Sequence, residues 1–455
     1  VALICLRALT AAPVSAEAAS EKAVAHSGWW RSFNDEALTR LIETALTKSP
    51  DVSIFQARLA EARALRSRSL REFDPKGAAA FGLIREYSSS GSIVEVGSDQ
   101  GNSGLATRSG ALSILFSEIA PQLDLGLFGR REANKATAVA DFDVASLGYA
   151  EARRQLTLLV AQALFRARTL QVERDQAVEL VSSLASELSG RQKLANQGLL
   201  SRSTVLALSS ELAVARAKAI SLDGHLQMAK QEILVIVGEA RSNPSELDIG
   251  VSGMSPDPPQ QIPAALLARR ADVLIAEARL RAAVGRQRLA KLQLYPSFSL
   301  LGDGSLTSIG GSGGGSAGLW SIGLGLVLPI LDRGRLLAEA RASSARAAAA
   351  TAEFEKAVQV AYGDASNALR LAATDKTRMA SLIVAEEADR QLYQSALTGL
   401  SRGLISSDIM HEAKRRWRSS SAELEIAKLD RVNHTMMAIY AVGDADVEDP
   451  QENPS

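Results

Sequence analysis

Cysteine and histidine are nearly missing from this 455-residue sequence, which holds one Cys and four His. The single thiol, Cys5, excludes a disulfide framework and a cysteine-built zinc site. His26, His225, His411 and His434 are scattered; His411-Glu412 opens like a zinc-protease helix, but Arg415 stands where the second histidine belongs. Aromatic residues make up only 4% of the chain, which points away from large-ring cores and toward long helices packed through small side chains. No run of eighteen apolar residues occurs, which excludes a membrane-spanning helix. Any crossing of a bilayer must then be made by strands. Lys plus Arg and Asp plus Glu both number 51, so no net field favours nucleic acid or an anionic membrane. The phosphate-cradling pattern GxxxxGK(S/T) is missing, and Gly313, Gly315 and Gly318 fit GxGxxG without the strand-to-helix unit that gives it meaning. Neither catalysis, a cofactor nor a metal is expected.

What the chain does have is an internal repeat. PDVSIFQARLAEARALRSRSLREFDP at 50–75 matches ADVLIAEARLRAAVGRQRLAKLQLYP at 271–296, at an offset of 221. Further on the offset is 205: Gly129-Arg130 matches Gly334-Arg335, Tyr149 matches Phe354, and Gln197-Gly198-Leu199-Leu200-Ser201 matches Arg402-Gly403-Leu404-Ile405-Ser406. The 16-residue difference falls between Pro75 and Gly129, where the first copy carries a longer polar stretch. Three anchors in one order mark a tandem duplication, with a first repeat over 20–240 and a second over 263–443.

Each repeat reads in the same order. A helix (35–72 and 263–294) leads into a two-strand segment (76–124 and 297–330), followed by a helical hairpin (128–238 and 333–442). Residues 241–262, with Pro244, Pro256, Pro258 and Pro259, read as the linker. The first 19 residues read as a truncated export signal with Val14-Ser15-Ala16 as the small-residue cleavage pattern. Residues 444–455 read as a disordered acidic tail.

The long hairpin helices carry a heptad seam. Phe354, Val358, Ala361, Ala365, Ala368 and Ala372 follow 4-3-4-3 spacing, and their counterparts Tyr149, Leu156, Val160, Ala163 and Ala167 are apolar, with Arg153 the exception. A helix of this length reaches roughly 100 Å at about 1.5 Å per residue. A coiled-coil scaffold explains that feature equally well. The strands separate the readings: Trp320, Ile322, Leu324, Leu326 and Leu328 alternate with small residues, Leu112, Ile114 and Phe116 alternate more weakly, and Phe81, Leu83, Phe298 and Leu300 lie on the partner strands. About ten residues per strand suits a tilted bilayer crossing, with the Gly/Ser-rich stretches 88–110 and 302–318 as loop tips. Four such strands leave two open edges, which hydrocarbon does not tolerate, so closure requires several copies.

About Trp29 to Val442 resembles the outer-membrane factors of the TolC/OprM class, especially the NodT-like branch. The matching blocks are Gly28-Trp29-Trp30-Arg31-Ser32-Phe33, Leu123-Asp124-Leu125 with Phe128-Gly129-Arg130, Leu267 to Val273, and Leu328-Pro329-Ile330-Leu331-Asp332-Arg333-Gly334-Arg335. Gly126-Leu127 stand as an insertion, Ala271 replaces a usual Pro, and Ile4 is bulkier than the small residue a lipidation signal places before its cysteine. Lipidation at Cys5 is therefore a weak candidate.

The resemblance implies a mainly α fold with a small β part. Four transmembrane strands per chain close as a twelve-strand β-barrel in a homotrimer, and the helices form a long periplasmic α-barrel. It also implies an outer-membrane conduit of a tripartite efflux system, bathed in outer-membrane lipid and partnered with a periplasmic adaptor and an inner-membrane RND pump. Lipid-facing residues would be Trp320, Ile322, Leu324, Leu326 and Leu328. The tips Gly198, Leu199, Leu200, Ser201, Gly403, Leu404, Ile405 and Ser406 would meet the adaptor, or serve only as hairpin turns. Asp408, Glu412 and Arg415 would form a constriction. Asp408 and Glu412 share a helix face at i, i+4, and Glu412 falls at an acidic gating position of the family. Carboxylates near a helix start also serve its dipole. A periplasmic adaptor, a coiled-coil scaffold, or a protein-secretion duct are the competing readings.

Overall fold

The computed structural model describes residues 28–94, 106–250, 256, 270–310 and 315–442. The export-signal reading with Cys5, the linker prolines Pro258 and Pro259, Leu267 to Arg269 and the acidic tail lie outside them. In chain order the elements are α1 (Glu36–Lys48), α2 (Pro50–Leu70), β1 (Lys76–Val94), β2 (Ala106–Asp124), α3 (Arg130–Asn196), α4 (Arg202–Ile236), α5 (Ala271–Leu292), β3 (Ser297–Gly310), β4 (Ser316–Val327), α6 (Arg333–Ser401) and α7 (Ser407–Val442). Short 3-10 turns occupy Trp29–Phe33 and Pro244–Glu246. One compact unit takes the described residues of 1–62, 142–278 and 352–455; the other takes those of 63–141 and 279–351.

The first helix of repeat one is two helices, not the single one expected over 35–72. Asp35 caps α1 by accepting from the Leu38 N–H at 3.0 Å, and the helix stops at Ser49, whose backbone is extended. Pro50 has no N–H to continue the ladder but suits the first position of α2. In this unit Trp29, Trp30 and Phe33 pack with Leu38 and Ile42 of α1, Val160 and Leu164 of α3, Ile233 of α4 and Met436 of α7. The amino-terminal tryptophans thus tie repeat one to the last helix of repeat two. The buried Arg168 guanidinium donates to both oxygens of Asp35 (2.5 and 3.0 Å) and to the Ile249 carbonyl (2.8 Å), leaving neither charge without a partner. The alanine seam is buried as its spacing predicts: Ala365 and Ala368 of α6 pack on Ala438 and Ala441 of α7. Small side chains here permit close helix approach. Val358, by contrast, stays exposed at 39%. Arg153, the polar exception in repeat one, lies over the Tyr149 ring at 5.7 Å. Near the end of α7 the half-buried Tyr440 hydroxyl donates to Glu151 at 2.7 Å. Burial first, and the Glu151 charge second, push its phenol well above the usual range.

The second unit carries one antiparallel sheet in the order β1-β2-β3-β4. Its strands span 19, 19, 14 and 12 residues, longer than the ten expected. The reason lies in the Gly/Ser stretches assigned to loop tips. Main-chain pairing needs no apolar side chain, and it continues through Ser88↔Gly110 to Val94↔Ala106, past an irregularity between Ser88 and Ser92, and through Gly302↔Ile322 to Ser308↔Ser316. Below the sheet Arg131 donates to the Phe73 carbonyl at 3.0 Å and Asn134 to that of Ser69 at 2.7 Å. The Gly126-Leu127 insertion makes a turn in which Gly126 and Phe128 both have positive φ, with the Phe128 ring stacked on Tyr295 at 5.7 Å.

Candidate functional site: sheet faces, hairpin tips and a charged tie

Register assigns each strand residue to a face, because side chains alternate and paired residues share a side. Phe298↔Leu326, Leu300↔Leu324, Gly302↔Ile322 and Gly304↔Trp320 put the bulky residues of β3 and β4 together. Leu123↔Leu300 and Ile119↔Gly304 extend that face to β2, and Phe81↔Ser117 and Leu83↔Leu115 extend it to β1. One apolar face therefore crosses all four strands, with Trp320 81% and Phe81 75% exposed in the single chain. Leu328 lies one residue beyond β4 and not within it. Ile114 and Phe116 pair with Ile309 and Thr307, and so occupy the opposite face. That second face carries Lys76, Glu118, Asp303, Ser305, Thr307 and Ser321 beside Phe116, whose ring fills the space over Gly82.

In the helical unit both hairpins turn by the same device. Gly198 (φ +74) and Gly403 (φ +72) sit just past the ends of α3 and α6 in the left-handed region that only glycine adopts freely. The Leu199 N–H donates to the Leu194 carbonyl at 3.0 Å, and the Leu404 N–H to that of Gly399 at 2.8 Å. Leu199 (71%) and Leu404 (73%) are left projecting, while Leu200 and Ile405 are half-buried. Ser201 caps α4 by accepting from the Thr204 N–H at 3.3 Å. Ser406, at the equivalent position of the second hairpin, makes no such bond among the described residues.

The constriction candidates separate. Asp408 pairs with Arg191 of α3 at 3.0 Å, not with Arg415 or Arg416. Arg191 also holds the buried Glu187 at 2.6 Å, and Glu187 accepts from Arg415 at 2.9 Å. Asp408 and Arg415 thus belong to one chain of charges, Asp408–Arg191–Glu187–Arg415, that ties α7 to α3. Glu412 is exposed and has no ion-pair partner among the described residues. Glu187 and Arg191 were missed in the sequence, although the repeat held a signal for them. Their equivalents 205 residues on are Leu392 and Ala396, and the first-repeat equivalents of Asp408, Glu412 and Arg415 are Ser203, Ala207 and Ser210. Charge stands where the duplicated copy has none. Among the described residues no group of acidic, histidine or cysteine side chains has the makings of a metal site.

Residues 262–436 match the family model described as outer membrane efflux protein. The chain is 28% identical to nodulation protein T of Rhizobium leguminosarum bv. viciae, over 89% of this chain and 81% of that protein. It is 25% identical to the pyoverdine export outer membrane protein OpmQ of Pseudomonas aeruginosa, over 92% and 83%. Its fold is that of the Campylobacter jejuni CmeC outer membrane channel (TM-score 0.80, 16% identity, 92% of this chain and 88% of that one). It is likewise that of VceC from Vibrio cholerae (TM-score 0.75, 19% identity, 91% and 98%). A repeat-built helical fold with a one-sidedly apolar, open-edged sheet meets these likenesses along nine-tenths of the chain, which is similar to the outer membrane efflux proteins of the TolC/OprM class and is an outer-membrane channel with an extension into the periplasm.

Proposed function

We propose that three copies of this chain close a single twelve-strand barrel and conduct small molecules passively across the outer membrane. The supporting observation is the four-stranded sheet, apolar on one face, with β1 and β4 as its two edges. An open edge in hydrocarbon leaves main-chain groups unsatisfied at several kcal/mol each, by order of magnitude. Four alternating strands bring β4 of one copy antiparallel to β1 of the next, so closure keeps one ladder type throughout. The Trp320–Leu326 face then meets lipid, and the face with Glu118, Asp303, Ser305 and Thr307 lines the lumen. Leu199 and Leu404 at the tips meet a periplasmic adaptor. An inner-membrane pump of the RND type supplies energy and selectivity, and the chain itself does no chemistry.

The charged tie serves as the resting latch near the periplasmic end, holding α7 on α3, while Glu412 stands clear of it as the ring-forming carboxylate. A relative named for pyoverdine export favours small organic cargo over a polypeptide duct. The test is fractionation, subunit count and planar-bilayer conductance of the purified protein, with crosslinking to an adaptor from Leu199→Cys and Leu404→Cys. A detergent-indifferent monomer that leaves bilayers silent would overturn the proposal.

A further inference from the structure

The geometry points to a binding site for a small amphipathic anion in the open cavity lined by α3, α4 and α7. The inference concerns a ligand of the wall itself, apart from conduction. The cavity holds about 510 Å³, within the roughly 300–1,000 Å³ of drug-sized ligand sites. Its apolar surface comes from Ala177 and Leu180 of α3, Ala215 and Leu222 of α4, and Ile426 of α7.

Around that surface stand five cations, Lys218, Lys414, Arg415, Arg416 and Arg418, against two carboxylates, Glu173 and Glu179. Glu179 is already shared, by Arg418 at 2.8 Å and Lys414 at 3.7 Å. Arg415 is engaged by Glu187 at 2.9 Å. Arg416 has only a long approach to Asp389 at 3.9 Å, and Lys218 is exposed without an ion pair among the described residues. The cavity therefore presents uncompensated positive charge above an apolar surface.

An independent observation comes from Ser183, which also lines the cavity. It is 9% exposed, and its hydroxyl is buried without a hydrogen-bond partner. A buried hydroxyl left unmatched is costly unless something binds it. The arrangement is not general hairpin packing, since the second-repeat equivalents of Ser183 and Lys218 are Ala388 and Glu423. Apolar walls, surplus cation and one waiting hydroxyl together fit a compact apolar body bearing a sulfonate or carboxylate.

The experiment is calorimetric titration of the full-length assembly in lipid nanodiscs with naphthalene-2-sulfonate. Naphthalen-2-ylmethanol serves as the uncharged counterpart. Saturable sulfonate binding is expected, weakened at least tenfold by Lys218→Glu and by Arg416→Glu, both at exposed positions, and unchanged by Lys356→Glu on α6. Undiminished binding in Lys218→Glu, equal affinity for the alcohol, or no saturable heat would each overturn the site. Conductance is recorded on the same preparation. A protein that conducts without binding loses only this site, and one that binds without conducting loses only the channel reading.

Discussion

The two helical hairpins share a turn and differ in what holds them shut. In the first, Leu184, Leu208, Leu212 and Ala215 form a buried cluster between α3 and α4. The equivalent positions of the second are Asp389, Ala413, Trp417 and Ser420. There the rings of Tyr393 and Trp417 stack at 5.3 Å with planes 11° apart, and the Trp417 indole N–H donates to Glu386 at 2.8 Å. Farther from the tip His434 meets Asp375 at 2.7 Å and Arg378 meets Asp430 at 2.8 Å. Each buried leucine contributes about 1.5–3 kcal/mol that is lost when the helices part. A partly exposed ion pair contributes about 0–1 kcal/mol, because water replaces the partner. The duplication has thus produced one stiff hairpin and one that opens at smaller cost. The Asp408–Arg191–Glu187–Arg415 chain fastens the second to the first.

Breaking the fastening should have the largest effect. In the double variant Arg191→Ala/Arg415→Ala the buried Glu187 loses both partners, a loss of about 3–4 kcal/mol locally. Hydrogen exchange should accelerate in α7 near Asp408, and resting conductance should rise several-fold. Unchanged exchange would mean that α7 is held by something else. Next comes the stiff hairpin's own core. Leu212→Ala removes a buried side chain and leaves a cavity, at about 2–3 kcal/mol, so exchange protection should fall across the α3–α4 tip. If conductance also rises as much as in the double variant, the division into stiff and yielding hairpins is wrong.

A third substitution moves the second hairpin toward the first. Trp417→Leu installs the first repeat's residue and removes the Tyr393 stack and the bond to Glu386, about 1–1.5 kcal/mol. Protection of α6 and α7 should fall while that of α3 and α4 stays put.

The parts of this comparison that local sequence carries were legible, and the parts that depend on pairing across repeats were not. Gly198 and Gly403 announce turns because a left-handed residue after a helix needs glycine wherever it sits. The alternation from Trp320 to Leu326 announces a strand with one apolar face for the same local reason. The β2 faces were not legible because Ile114 and Phe116 are apolar too, and only the partner strand decides which set shares a side with Trp320. The strand ends were misplaced because main-chain hydrogen bonds run on through Ser88 to Val94, where composition suggests a loop. Glu187 looks like any surface glutamate until α7 is laid beside α3. The break in repeat symmetry at Leu392 and Ala396 is the trace that tertiary pairing leaves in one dimension.

The smallest contrast is also the cleanest, since it compares one atom at two equivalent positions. Ser201 accepts from the Thr204 N–H, whereas Ser406 makes no corresponding bond among the described residues. Removing an N-cap hydroxyl costs about 0.5–1 kcal/mol where it is used and should cost close to nothing where it is not. Ser201→Ala should therefore speed exchange of the first-turn amides of α4 by about threefold, while Ser406→Ala leaves those of α7 unchanged. The acidic first turn of α7, with Asp408, takes over the role of the missing cap, because a carboxylate there offsets the helix dipole. If so, Ser406→Ala becomes measurable only when Asp408→Asn is made as well. Equal responses of the two serines in the parent protein would show that the hairpin tips are alike after all.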